Sequence, residues 1–287
     1  KKKKIPIRFR GTNTQFVALN RTVFKYGYEI ETAMTLDILA KGDGVFYDIG
    51  SNWGYFSLYL ASKSDYAGKI FAFEPVGSTY ADLVSIIDQA RETERIMPLQ
   101  IALSDYDGEA HMEFPDDIHS GLALLTKQKS ARAVVTIARK IDSLDIAPPS
   151  FMKIDVEGSE PEVVKGGIET IKKFQPSIVF ENFLYDPSRT YAVFVLLSDL
   201  GYRMYIPALE FRTSTYTYRL SCGNNYADGI EHDGSFRYTL VPFSMENRFL
   251  MQPHLNILAV HSRRIAGISS HIAPSKLATP HYARRKR

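Results

Sequence analysis

Three short stretches of this sequence combine residue types that can do chemistry, and their spacing narrows what that chemistry is. The first is Asp48-Ile49-Gly50-Ser51-Asn52-Trp53-Gly54, which follows the compact apolar run 45–49 and opens a helical pattern over 53–62. Open α/β sheets bind ligands at such a strand-to-helix turn. Gly50 and Gly54 would let the backbone pass close to a bulky ligand, and a helix N-terminus favours a carboxylate. A dinucleotide loop calls for the GxGxxG pattern around a pyrophosphate. Here there are two glycines four residues apart with an acid just before them. That mixture suits a ligand with an ammonium, a sulfonium and a carboxylate, which describes S-adenosylmethionine. A tight turn without ligand is the plain alternative.

The second stretch is Phe71-Ala72-Phe73-Glu74-Pro75, in which Glu74 ends the next strand, 24 residues after Gly50. A carboxylate there can accept both hydroxyls of a ribose. The third is Lys153-Ile154-Asp155-Val156-Glu157-Gly158. Period two puts Lys153, Asp155 and Glu157 on one side of a strand and Met152, Ile154 and Val156 on the other. Strands of a doubly wound sheet are normally apolar on both faces, so charges here are costly unless paired or functional. A Lys–carboxylate pair tying the strand end to a helix competes with a role beside the ligand.

The elements that must position these groups alternate between short apolar strands and helical patterns. Strands are expected at 45–49, 69–73, 99–103, 151–156, 177–180 and 256–260, with helices at 53–62, 78–91, 160–174 and 189–200 between them. A β excursion at 110–114 and 134–137 surrounds a polar loop at 116–121. The fold class is therefore α/β, with a Rossmann-like, doubly wound, mostly parallel sheet and a β-rich C-terminal elaboration. The domain layout is a basic lead-in over 1–27, one catalytic domain over 28–262 with a β-rich cap at 210–252, and a basic tail over 263–287.

Composition sets the outer bounds. The 287 residues are 45% hydrophobic and 23% charged, the profile of an ordinary globular protein. The apolar runs at 70–73 and 191–197 fall short of the roughly 20 residues that span a bilayer. Lys1–Lys4 leads into Pro and Arg rather than an apolar stretch, and Cys222 is the single cysteine, which excludes an intrachain disulfide and a thiolate metal cluster. These features fit a cytoplasmic enzyme. The net charge of +3 conceals an asymmetry: residues 1–21 and 263–287 carry seven Lys/Arg each and no acid, leaving 21 basic against 32 acidic residues between them, about −11. The tails are either solvated or attach the protein to an anionic partner such as a membrane surface or a charged glycan. The acidic interior offers no basic groove for nucleic acid.

Taken with their neighbours, these motifs resemble the FkbM-type methyltransferases, a family of class I S-adenosylmethionine enzymes, over about 28–209. The resemblance rests on Glu29 and Glu31 before a short helix, residues 42–54, Phe73-Glu74-Pro75, Ala102-Leu103-Ser104-Asp105 with Gly108, Ser120-Gly121, Ile141-Asp142-Ser143-Leu144, residues 153–160, and Gly166-Gly167. Ser51 stands where the family has Ala, and Glu181-Asn182-Phe183 departs from the family's pattern of Glu, hydrophobic residue and His. Residues 210–252 have no counterpart. The resemblance implies an S-adenosylmethionine cofactor held around Asp48, Gly50, Asn52, Gly54, Glu74, Ala102 and Ser104. It also implies O-methylation, often of a sugar hydroxyl in a glycan or glycosylated natural product.

An alcohol is a poor nucleophile, so a base or a metal is expected beside the donor. Asp155 and Glu157 are candidates by position, and His119 by its near-neutral titration on the central loop. Asp155 with Glu181 and Asn182 on the next strand would offer three oxygen ligands to Mg²⁺, as in the catechol-type methyltransferases. In the alternative, Glu181 pairs with Lys153 and Asn182 caps a turn. Tyr216, Tyr218, Tyr226 and Tyr238 with Arg212, Arg219 and Arg237 would suit a sugar if a β-hairpin cap placed them over the site. The rival functions are an NAD-dependent oxidoreductase, opposed by the missing GxGxxG, and a nucleic-acid-binding protein using the basic tails.

Overall fold

In a computed structural model, the described residues are 6–8, 28–113, 124–126, 133–182, 187–212, 217–220, 236–243 and 255–273. His119, Tyr216 and Tyr226 lie outside them, as do most of the two basic ends.

Five parallel strands form the centre of the main sheet: β1 (Phe46–Ile49), β2 (Ile70–Phe73), β3 (Ile96–Leu99), β8 (Phe151–Ile154) and β9 (Ser177–Asn182). Beyond β9 come β13 (Leu255–His261), β10 (Tyr202–Arg212) and β11 (Thr217–Leu220), while β12 (Arg237–Phe243) also pairs with β10. β13 is antiparallel to both β9 and β10, so it reverses a sheet that is otherwise parallel up to β10. A second, four-stranded sheet is built from β4 (Ala102–Leu103), β5 (Gly108–Glu113), β6 (Leu124–Thr126) and β7 (Val134–Arg139), in the order β4-β7-β5-β6. The expected doubly wound α/β architecture is what the chain adopts.

Alternation along each strand splits the core into two layers. Tyr47 and Ile49 of β1, Phe73 of β2, Met152 and Ile154 of β8 and Phe180 of β9 face α4 (Glu160–Gly166), α5 (Ile168–Phe174) and α6 (Pro187–Asp199) through Val163, Val164, Ile171, Phe194 and Leu197. Phe46, Ile70, Ala72 and Phe151 face α1 (Ile30–Leu39), α2 (Tyr55–Ala61) and α3 (Gly77–Ala90) through Leu36, Phe56, Leu60, Leu83 and Ile87. All these side chains are buried.

Several elements differ from the expected ones for physical reasons. The third strand is 96–99 rather than 99–103, because Pro98 is tolerated on an edge strand, where one side of the backbone needs no ladder donor. Ala102 and Leu103 instead join the small sheet beside Ala138 and Arg139. The single helix expected over 160–174 breaks at Gly166-Gly167. A Cβ at Gly166 would stand 1.9 Å from the Ser104 carbonyl oxygen, and one at Gly167 would stand 2.9 Å from Ile141, so the chain is pressed onto its neighbours there. Residues 202–212, which carried no strand expectation, form the longest strand among the described residues.

Within the segment 210–252, the described residues 210–212, 217–220 and 237–243 belong to β10, β11 and β12 of the main sheet. Leu209 and Phe211 pack with Ile30, Met34 and Phe236. Tyr238 is buried, with its hydroxyl 2.6 Å from Thr35 Oγ1, so it serves packing. Arg237 pairs with the buried Glu210 at 2.9 Å.

The boundary expected at 263 falls inside folded structure. Ser262–His271 is a 3₁₀ segment in which Ile268 is buried against Leu240, Leu258 and Val260. Arg264 donates to the backbone carbonyls of Ser150 and Phe174 at 3.2 and 3.0 Å. The described part of this basic end is thus a clamp on the sheet. Ile268→Ala should lower unfolding stability by about 2–5 kcal/mol, the usual cost of emptying a buried aliphatic site, and truncation after His261 should cost more. Urea titration of both variants checks this, and an unchanged midpoint would restore the reading of 263–287 as a plain tail.

Candidate functional site

The turn after β1 is shaped by three left-handed residues, Gly50 (φ 73°), Asn52 (φ 52°) and Gly54 (φ 88°). A Cβ on Gly50 would lie 1.8 Å from the backbone oxygen of Asp155, so the glycine lets the β1 and β8 turns touch rather than making room for a ligand. Asp155 N–H donates to the Ile49 carbonyl across the same contact at 3.0 Å. Gly54 serves helix packing, since its Cβ would stand 2.5 Å from Leu83 Cδ1 of α3.

Around this turn lies a cleft open to solvent. Its walls come from the turn after β1 (Ile49, Gly50, Asn52), the end of β2 (Phe73, Glu74, Pro75, Val76), the 101–103 segment, Met112 and Leu125 of the small sheet, and the turn after β8 (Asp155, Val156, Glu157, Ser159). The cleft therefore sits at the carboxyl ends of the central strands, roofed on one side by the second sheet.

Each acid around the cleft has a defined environment. Glu74 is buried, accepting from Asn52 N–H at 3.0 Å and from Val76 N–H at 2.8 Å. Burial pushes its carboxyl up to about 7, against the pull of those two donors. Asp48 is buried behind the cleft wall, where its Oδ2 accepts from Ser57 N–H at 3.1 Å and Ser57 Oγ at 2.6 Å. Burial raises it too, opposed by Lys153 and by Ser57. Glu160 accepts from Val156 N–H and Gly158 N–H at 3.1 and 3.2 Å, shaping the turn after β8, and burial moves it up to about 7.

The Lys153 ammonium is buried among these carboxylates. It lies 2.6 Å from Asp155 Oδ2 and 4.9 Å from the centre of the Phe56 ring, and its strand neighbour in register is Asp48. Burial alone would pull its pKa down, but the charges of Asp155, Glu29 and Asp48 outweigh that and hold it up. Asp155, Glu157 and Glu181 each bring a carboxylate oxygen within 4.8 Å of the others. Hard oxygen donors of this kind fit a Mg²⁺-type ion, although the Lys153 ammonium already occupies one Asp155 oxygen.

Of the residues expected at the cofactor, Gly50, Asn52, Glu74 and Ala102 line the cleft. Asp48, Gly54 and Ser104 do not: Asp48 and Gly54 anchor α2, and the Ser104 backbone packs under Gly166. Asp155 and Glu157 line the cleft, and Asp155 and Glu181 come together as expected, with Glu157 as their third carboxylate. Asn182 ends β9, and its side chain lies outside the description, as does His119.

The Methyltransferase FkbM domain matches residues 44–204, more than half of the chain and the whole span that builds the cleft. This chain belongs to the FkbM methyltransferase family. A hexuronic acid methyltransferase, AglP, from Haloferax volcanii is 30% identical over 150 residues, which is 52% of this chain and 60% of that protein. The chain thus spans less than two thirds of that relative's length. Among solved structures, the methyltransferase FkbM of Methylobacillus flagellatus is 19% identical with a TM-score of 0.43, covering 56% of this chain and 39% of the other. A precorrin-6y C5,15-methyltransferase from Geobacter metallireducens is 14% identical with a TM-score of 0.45, covering 83% and 90%. The assignment to the FkbM family rests on the domain match, and the fold rests on the strand order itself.

The FkbM motifs include Glu160 without giving it a role, and they do not include Ser57 or Asn256. Glu160 shows in the sequence as the last residue of the 153–160 motif, an acid at the start of a helix just after a glycine turn. Ser57 and Asn256 act across the fold and leave no local signal.

The buried carboxyls set a pH dependence with a definite sign. Glu74 and Glu160 titrate near 7 in the folded chain, against about 4.3 when unfolded. The folded state holds more protons between those values, so the contribution of these two groups to stability is fully present below about 4 and is lost as pH rises toward 7. Glu74→Gln and Glu160→Gln should each flatten that fall by up to one proton, roughly 1.4 kcal/mol per pH unit. Denaturant midpoints from pH 4 to 8 test it; an unaltered slope in both variants would contradict the assigned environments.

Proposed function

We propose that this chain is an S-adenosylmethionine-dependent O-methyltransferase acting on a sugar hydroxyl. The observation that carries this reading is the cleft itself, which places a buried Glu74 carboxylate beside the Asn52 turn and opens onto Asp155 and Glu157. Membership in the FkbM family supports the reaction type, and the name of the haloarchaeal relative supports a sugar acceptor, a hexuronic acid being the first to try. When bound, the cofactor supplies an activated methyl on a sulfonium. Glu74 would take the ribose hydroxyls, and the acids along the cleft suit the ligand's positive charge. The aliphatic wall of Ile101, Leu103, Met112 and Leu125 would cover the base.

The rival oxidoreductase would also want an acid near a ribose, but the 48–54 turn offers no glycine triplet for a pyrophosphate. Isothermal calorimetry with S-adenosylhomocysteine and NAD separates the two. Glu74→Ala should weaken S-adenosylhomocysteine by roughly 1.5–3 kcal/mol, the loss of charge-assisted hydrogen bonds, and preferential binding of NAD by the wild type would reject the proposal.

A second reading is favoured by the three carboxylate oxygens of Asp155, Glu157 and Glu181, which would hold a divalent cation beside the acceptor hydroxyl and lower its pKa. In that case EDTA abolishes turnover, Mg²⁺ or Mn²⁺ restores it, and Glu181→Gln shares the defect. If the lysine alone serves the cluster, EDTA has no effect. In either case, Asp155→Asn should reduce turnover while leaving S-adenosylhomocysteine affinity largely unchanged, and full activity of that variant would remove Asp155 from the reaction.

A further inference from the structure

At the carboxyl ends of β8 and β9, outside the residues that line the cleft, the chain enters α1 through Tyr28 and Glu29. Glu29 is not glycine, yet its backbone is left-handed (φ 40°, ψ 51°) and it starts the helix without a side-chain cap. A strained residue of this kind persists when its surroundings hold it in place. Here one holder comes from the far end of the chain: Asn256 Nδ2 of β13 donates to Glu29 Oε2 at 3.2 Å, across 227 residues of sequence. Tyr28 donates its hydroxyl to the same carboxylate. Asn256 stands opposite Glu181 in the β13–β9 register, which brings Glu29 to the same edge as the acids of the site.

Resting on the methyltransferase reading above, we propose that Glu29 is the base that receives the proton of the acceptor hydroxyl, with Asn256 as its positioning residue. As the acceptor oxygen bonds to the methyl carbon, the carbon–sulfur electron pair returns to sulfur and the hydroxyl proton passes to a Glu29 carboxylate oxygen. The products are the methyl ether, S-adenosylhomocysteine and a protonated Glu29. Asp155 is less suited to the same task because the Lys153 ammonium holds its Oδ2 at 2.6 Å.

The charges that face Glu29 agree with this role. From β8 and the turn after it they are Lys153 and Asp155, from β9 Glu181, from α2 the Tyr55 hydroxyl, and from its own turn Tyr28, while β13 contributes the neutral Asn256. Burial raises the Glu29 carboxyl to about 7, with Lys153 and the Tyr28 hydroxyl opposing and Asp155 and Glu181 adding to the rise. A base works best when its pKa lies near the operating pH.

The test uses the full chain, tritiated-methyl S-adenosylmethionine, and the methyl glycosides of glucose, glucuronic acid and glucosamine as acceptors, with S-adenosylhomocysteine calorimetry alongside. The wild-type rate on the glycoside it methylates should rise with pH through a single proton loss near 7. Glu29→Gln should lower that rate on the order of 10²–10⁴-fold, erase the rise, and leave S-adenosylhomocysteine affinity unchanged. Asn256→Leu removes a donor that favours the charged carboxylate, so it should move the rise to higher pH without erasing it. A Glu29→Gln enzyme with wild-type rate and pH profile overturns the proposal while the methyltransferase reading stands. Loss of S-adenosylhomocysteine binding in the wild type overturns that reading instead. Binding without transfer to any of the three glycosides rejects the sugar acceptor, and the proposal with it.

Discussion

The structure depends on one buried cation. Lys153 sits at the end of a central strand, where a doubly wound sheet has no water to offer, and an isolated ammonium there would be expelled or neutralised. It is kept charged because Asp48 stands beside it on β1, Asp155 follows it by two residues, and the charge of Glu29 at the start of α1 adds to theirs. Removing one partner of such a group leaves an uncompensated buried charge, which costs far more than the pair gains. The network therefore ties together three segments that are distant in sequence, and the carboxyl edge of the sheet holds its shape because they stay together.

That edge is closed around the ion network by backbone as much as by side chains. The β1 and β8 turns touch at Gly50 and Asp155 with no room for a side chain. Glu160 gathers the amides of the turn after β8, and Glu74 gathers those after β1 and β2. These carboxyls act as internal caps on irregular backbone, satisfying donors that no strand or helix could reach. What is left open between the three turns is the cleft, so the pocket is the space that remains once the charges and amides are paired.

The electrostatic character of the site follows from the same construction. Asp155, Glu157, Glu181 and Glu29 lie near one another with Lys153 among them, so the edge is net anionic and favours a cationic ligand. Of the basic residues near the two ends of the sequence, the described ones, Arg8, Arg263 and Arg264, do not line the cleft. Arg264 is used at the opposite end of the strands, on the carbonyls of Ser150 and Phe174.

The sequence by itself determined the α/β class, the turn at 48–54, the acid at the end of β2 and the charged strand end at 153–157. Each of these is written in local periodicity or in a run of adjacent residues, and local patterns survive folding. It did not determine why Gly50 is a glycine, because the atom it avoids belongs to Asp155, on another strand. Nor could it show that 160–174 is two helices, since the break is imposed by Ser104 and Ile141 pressing on Gly166 and Gly167. Tyr238 read as a sugar platform until the fold put its hydroxyl on Thr35. The pairing of Asn256 with Glu29 is the extreme case: two ordinary polar residues, 227 positions apart, acquire a common task when β13 inserts beside β9. Tertiary structure alone decides such a pairing, because the hydrogen bond depends on where the strands lie and on nothing in the residues next to either partner.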